Sequence, residues 1–186
     1  MKLSYIPNLI CLGRIVLVGP IVISLVRERY EAAILMFVLA GLSDGLDGFL
    51  ARRFDWRTHL GLILDPLADK LLMVSVFVTM TVMGLIPVWL AAAVVGRDLI
   101  LMAGGIAYHF VIGKVDGEPS QISKWNTFLQ LIYVFGTMLA AAGLSFHPEA
   151  MTILGYIVFC TVIISGVDYI VLWTRKAIKN RPGAKQ

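Results

Sequence analysis

A chain of 186 residues is the size of one domain, yet 59% of it is hydrophobic and only 15% is charged, a balance that soluble domains of this length do not show. Such a composition belongs in a bilayer. The net charge of +4 needs no nucleic acid to explain it, because the cytoplasmic flanks of membrane helices collect Lys and Arg, and nucleic acid is excluded as a partner.

Six apolar stretches, each long enough to cross roughly 30 Å of hydrocarbon, predict helices over 5–26, 31–53, 60–84, 88–112, 124–146 and 150–173. The expected fold class is an all-α integral membrane protein with six transmembrane helices, comprising a domain over 1–173 and a basic tail over 174–186. The first stretch lacks a small-residue cleavage pattern and carries Arg14 and Pro20, so it reads as a permanent helix rather than a removable signal. Breaks fall at Arg27-Glu28-Arg29, Asp55 to His59, Leu85-Ile86-Pro87, Lys114 to Ser120 and His147-Pro148, where charge, Gly and Pro interrupt the apolar runs. Cys11 and Cys160 both lie inside apolar runs and read as packing residues. With the N-terminus in the cytoplasm, inside segments hold Lys2, Arg52, Arg53, Arg57, Lys114 and the basic tail, against Arg27 and Arg29 outside. The positive-inside rule therefore predicts a multi-pass protein with both termini cytoplasmic and the connection between the second and third helices on the same side.

Carboxylates within membrane helices cost about 3 kcal/mol each even on a lenient insertion scale, so they point to function. Asp44 and Asp47 are three residues apart on the second helix; Gly61, Asp65 and Asp69 repeat every four residues on the third. Each set lies along one helix face. The short connection predicts antiparallel neighbours, with all four aspartates in one pocket and Arg52 and Lys70 as the nearby cations. Two basic groups are too few to neutralise it, so one or two divalent ions are expected. An oxygen-only shell suits Mg²⁺ or Mn²⁺ rather than zinc, and such ions suggest phosphate chemistry with a nucleotide leaving group. The small residues Gly45, Gly48, Ala51 and Gly61 leave room for a ligand at the backbone, although small residues also serve helix packing.

The run Asp44-Gly-Leu-Asp47-Gly48-Phe-Leu-Ala51-Arg52, eight residues, then Gly61-Leu-Ile-Leu-Asp65-Pro-Leu-Ala-Asp69 resembles the complete signature of the CDP-alcohol phosphotransferases. The resemblance extends to Pro7-Asn8-Leu-Ile-Cys11-Leu-Gly-Arg14, where many members have Thr in place of Cys11, a departure that bears on one hydroxyl contact to the nucleotide. It implies that Asp44, Asp47 and Asp65 ligate metal, with Asp69 near a second metal and acting as the base toward the acceptor hydroxyl. It also implies that Asn8, Asp47, Gly48, Ala51, Arg52 and Gly61 line the CDP site, with Arg52 on phosphate. The implied donor is CDP-diacylglycerol, the implied assembly a homodimer, and the implied location a bacterial or mitochondrial-type inner membrane.

The shared signature describes only the CDP side, so the acceptor is read from the fourth and fifth helices. Arg97 and Lys124 suit an anionic acceptor phosphate, against the simpler reading that Arg97 pairs internally with Asp98 or Asp168. Glycerol-phosphate members commonly have Lys-x-Lys-Thr where this chain has Lys124-Trp125-Asn126-Thr127, and tend to have Arg-Glu where it has Arg97-Asp98. Together with Leu85-Ile86-Pro87 and Gln130-Leu131, these positions resemble the CMP-forming cardiolipin synthases. Phosphatidylglycerol is the expected acceptor, glycerol 3-phosphate the alternative, and inositol or serine less favoured. A transporter would spread its charges along a path, often with broken helices, and a di-iron bundle needs Glu-x-x-His pairs that are absent here.

Overall fold

The computed structural model of the chain describes residues 6–54, 61–111, 121–145 and 147–179. Among these residues the regular structure is six helices and no strand: α1 (Ile6–Val26), α2 (Tyr30–Arg53), α3 (Gly61–Val82), α4 (Val88–Val111), α5 (Gln121–Ala141) and α6 (Pro148–Lys179). The expected connections at 55–59 and 114–120, and the tail beyond 179, lie outside the described residues. Two compact units are formed, one from Met1–Pro87 with Val134–Ser145 and one from Val88–Tyr133 with Phe146–Gln186.

In the first unit, α1 packs against both α2 and α3. The reason is a stripe along α1, where Cys11, Arg14, Val18, Ile21 and Leu25 are buried at alternating three- and four-residue steps, the repeat that keeps side chains on one helical face. Ala33, Phe37 and Ala40 of α2, and Ala68, Leu72, Val76, Phe77 and Met80 of α3, form matching stripes. In the second unit α4 packs on α6, with Trp89 stacked on Tyr156 at 5.6 Å between ring centroids and edge-on to Phe159 at 5.2 Å.

Helices α1, α3 and α5 end in the same way. The amide of Glu28 donates to the carbonyl of Leu25 and that of Arg29 to Ser24; Gly84 and Leu85 donate to Thr81 and Met80, and Gly143 and Leu144 to Ala140 and Leu139. This paired closure satisfies carbonyls that the last turn would otherwise leave open, and it needs a residue in the left-handed region. Gly84 (φ 76°) and Gly143 (φ 97°) supply it without strain, whereas α1 uses Glu28 (φ 56°).

Two described helical stretches, Leu9–Val26 and Glu149–Tyr169, are long and apolar enough to cross a membrane, with mean hydropathies of 2.5 and 2.2. Only 28% and 22% of these windows are buried, and Leu12, Val16, Ile23, Ile153, Ile157 and Ile164 are among their exposed apolar side chains. The first half of α5 is inverted relative to a helix in water, with Ser123, Asn126 and Gln130 buried and Ile122, Trp125 and Phe128 exposed, whereas Tyr133, Val134 and Met138 are buried beside Thr137 in its second half.

Candidate active site

Within the first unit, α1 contributes the group that organises the acidic residues. Arg14, 1% exposed, forms an ion pair with Asp44 of α2 at 2.7 Å and a second with Asp69 of α3. Both carboxylates are 48% exposed, so one edge of the cluster is held by protein while the rest remains open. Asp65, one turn before Asp69, is half-buried and close enough that its charge acts on Asp69 together with that of Asp44. Gly48, one turn beyond Asp44, is half-buried too. Asn8, Asp47, Ala51, Arg52 and Gly61 lie on α1, α2 and α3, but their side chains fall outside the described residues.

Of the four aspartates expected to share a pocket, Asp44 and Asp69 are both paired with Arg14, a cation that the apolar-run reading missed. Among the described residues, α1 rather than an α2–α3 interface makes the extensive helix contacts, and its buried Arg14 joins the counter-charges expected from Arg52 and Lys70. The signal was present in the sequence. An arginine within an apolar helix, in register with Cys11 and Val18, demands acidic partners in the protein interior.

Asp44, Asp65 and Asp69 offer carboxylate oxygens, the donor type that a hard oxygen-seeking cation takes. Among the described residues no three His, Cys, Asp or Glu side chains are gathered into a ready-made ligand set.

The second unit holds a separate polar cluster. Arg97 on α4 donates to Asp98 at 2.8 Å, to Ser123 Oγ of α5 at 2.8 Å and to Ser165 Oγ of α6, and its guanidinium lies 5.8 Å from the ring centroid of Tyr169. Arg97 and Asp98 are each 7% exposed. Of the two internal partners weighed for Arg97, Asp98 is the one found. Lys124, at the start of α5, is exposed.

Residues 4–167 match the family described as CDP-alcohol phosphatidyltransferase. The chain belongs to this family. It is 33% identical to a "Cardiolipin synthase (CMP-forming) / mitochondrial hydrolase fusion protein" of Schizosaccharomyces pombe, over 94% of this chain and 32% of the relative. It is 36% identical to the Homo sapiens "Cardiolipin synthase (CMP-forming)" over 73% of this chain and 50% of that protein. An Aquifex aeolicus "CDP-diacylglycerol--glycerol-3-phosphate 3-phosphatidyltransferase" is 31% identical over 88% of this chain and 93% of its own length. The chain therefore spans half or less of the two cardiolipin synthases, and nearly all of the third family member.

Proposed function

We propose that this protein transfers a phosphatidyl group from CDP-diacylglycerol to a hydroxyl of phosphatidylglycerol, giving cardiolipin and releasing CMP. The observation that carries this reading is the convergence of Asp44 and Asp69, both members of the family signature, on buried Arg14. The cardiolipin acceptor is supported by the human and fission-yeast relatives, and by the Asn126 and Arg97-Asp98 positions read from the sequence.

In the proposed reaction Asp69 accepts the proton of the acceptor hydroxyl as that oxygen forms its bond to the lipid-bearing phosphorus. The phosphorus–oxygen bond to CMP breaks, and CMP leaves carrying the electron pair. Arg14 orients Asp69 by holding one of its oxygens, and CMP leaves readily enough to need no strong general acid. Asp44, Asp47, Asp65 and Asp69 would hold one or two Mg²⁺ or Mn²⁺ ions, which supply charge neutralisation to the diphosphate. Asn8, Gly48, Ala51, Arg52 and Gly61 are the proposed CDP contacts, and Arg97 and Lys124 the proposed acceptor contacts. Six membrane spans with both termini cytoplasmic, and a homodimer, complete the reading. The exposed apolar side chains of α1 and α6 and the inward polar face in the first half of α5 support a bilayer setting.

Glycerol 3-phosphate is the second acceptor worth testing, because the Aquifex aeolicus relative matches over almost its whole length. Purified protein in detergent with CDP-diacylglycerol and magnesium is given phosphatidylglycerol or glycerol 3-phosphate in separate reactions. Cardiolipin and CMP from phosphatidylglycerol alone are expected. Phosphatidylglycerophosphate from glycerol 3-phosphate alone would retain the transferase and replace the acceptor.

A further inference from the structure

In the first unit two carboxylates converge on one nitrogen. Arg14 Nη1 holds Oδ1 of Asp44 at 2.7 Å and also Oδ1 of Asp69, and a terminal guanidinium nitrogen carries two hydrogens, one for each oxygen. The arginine has little freedom to withdraw. It is 1% exposed, and Cys11 and Val18 are buried on the turns to either side of it along the same face of α1. The aspartates do not share that enclosure, since both side chains are half-exposed.

This arrangement sets terms for a divalent ion. If the two Oδ1 atoms turn to an ion, a buried guanidinium nitrogen loses both of its acceptors, and a buried donor left unmatched is costly. If Asp44 and Asp69 offer their other oxygens instead, the ion stands beside a fixed positive charge, and like charges repel at such range. Either way Arg14 works against an ion that arrives alone. A diphosphate relieves both penalties, because its anionic oxygens ligate the ion and offset the positive charge beside it.

We infer that Arg14 makes the ion site conditional on the nucleotide: the aspartates hold a divalent ion weakly by themselves and firmly only together with the diphosphate of a CDP-bearing ligand. The inference rests on the reading above that Asp44, Asp65 and Asp69 hold the ion, and it gives Arg14 a role beyond orienting Asp69. Such coupling is reciprocal, so the ion tightens CDP by the same factor by which CDP tightens the ion. The site is then fully charged only when the donor lipid is in place.

The test measures Mn²⁺ binding to the purified full chain in detergent, without acceptor, from the electron paramagnetic resonance signal of free Mn²⁺. A protein-free titration corrects for Mn²⁺ held by CDP in solution. Wild type is expected to bind Mn²⁺ at least about tenfold more tightly with CDP than without it. Arg14→Gln should bind Mn²⁺ about tenfold more tightly than wild type when CDP is absent, and CDP should then add less than about threefold. Arg14→Lys keeps a positive charge at the position and should stay within about threefold of wild type. A wild type whose Mn²⁺ affinity is the same with and without CDP overturns the inference, whether or not Arg14→Gln folds. So does a folded Arg14→Gln that binds Mn²⁺ no better than wild type, because Arg14 would then prepare the aspartates for the ion instead of holding it off. If wild type binds no Mn²⁺ even with CDP, or Asp44→Asn binds it as wild type does, the ion reading itself fails and the inference with it. That result is distinct from a wild type that binds the ion through Asp44 and does not respond to CDP.

Discussion

Arg14 is where a single residue does most to shape the site. It reaches two helices from a third, and a neutral replacement of similar length leaves Asp44 and Asp69 facing each other without it. Arg14→Gln is expected to destabilise the fold by about 1–3 kcal/mol, below the value for a fully buried pair because both carboxylates are half-exposed. Thermal unfolding in detergent measures this. Transfer should fall by about tenfold or more, since Asp69 loses its orienting partner. Asp69→Asn is expected to abolish transfer while largely sparing CDP-diacylglycerol binding, and full activity in that variant would remove Asp69 from the role of base. The aspartates were legible because intramembrane acids at three- and four-residue spacing have few other uses. Arg14 was not, because reading a helix as an apolar run attends to its average and overlooks which face a lone charge occupies.

Helix boundaries show the same division between what averages reveal and what geometry decides. The extents of α1 to α4 lie within about two residues of the apolar stretches, the usual uncertainty of helix ends. Helix α5 begins at Gln121, three residues before the expected 124, and ends at Ala141 rather than 146. Its start is polar, with Gln121 and Lys124 exposed and Ser123 buried, and its end is set by Gly143 in the left-handed region. Helix α6 runs to Lys179, beyond the expected 173, since no Gly or Pro intervenes before Pro182 and basic residues suit a helix C-terminus. The shared closure of α1, α3 and α5 yields a prediction of its own. Glu28→Gly should stabilise the protein by about 1 kcal/mol, because the left-handed turn then carries no Cβ, and an unchanged or lower melting temperature would count against that strain. On α4, Arg97→Ala leaves Asp98 buried and without that guanidinium. A loss of about 3 kcal/mol or more is expected, read from the same unfolding measurement.

For the whole molecule, the surface decides the solvent. Leu9–Val26 and Glu149–Tyr169 are apolar stretches of which only 28% and 22% are buried, and Cys160 is exposed on α6 between exposed Ile157 and Ile163. In intact membranes a water-soluble maleimide should leave Cys160 unlabelled, because the thiolate that reacts needs water; ready labelling would place this face of α6 in an aqueous setting. Cys11, fully buried on the inner stripe of α1, should stay unlabelled in membranes and in mild detergent alike. The Arg14 bridge also bears on how the protein comes to exist. A guanidinium built into the bundle is a counterion that travels with the chain, so α1, α2 and α3 can assemble in the membrane before any divalent ion arrives. Wild type should therefore keep most of its melting temperature in EDTA, whereas Arg14→Gln should come to depend on added magnesium, its stability climbing with ion concentration as mass action requires.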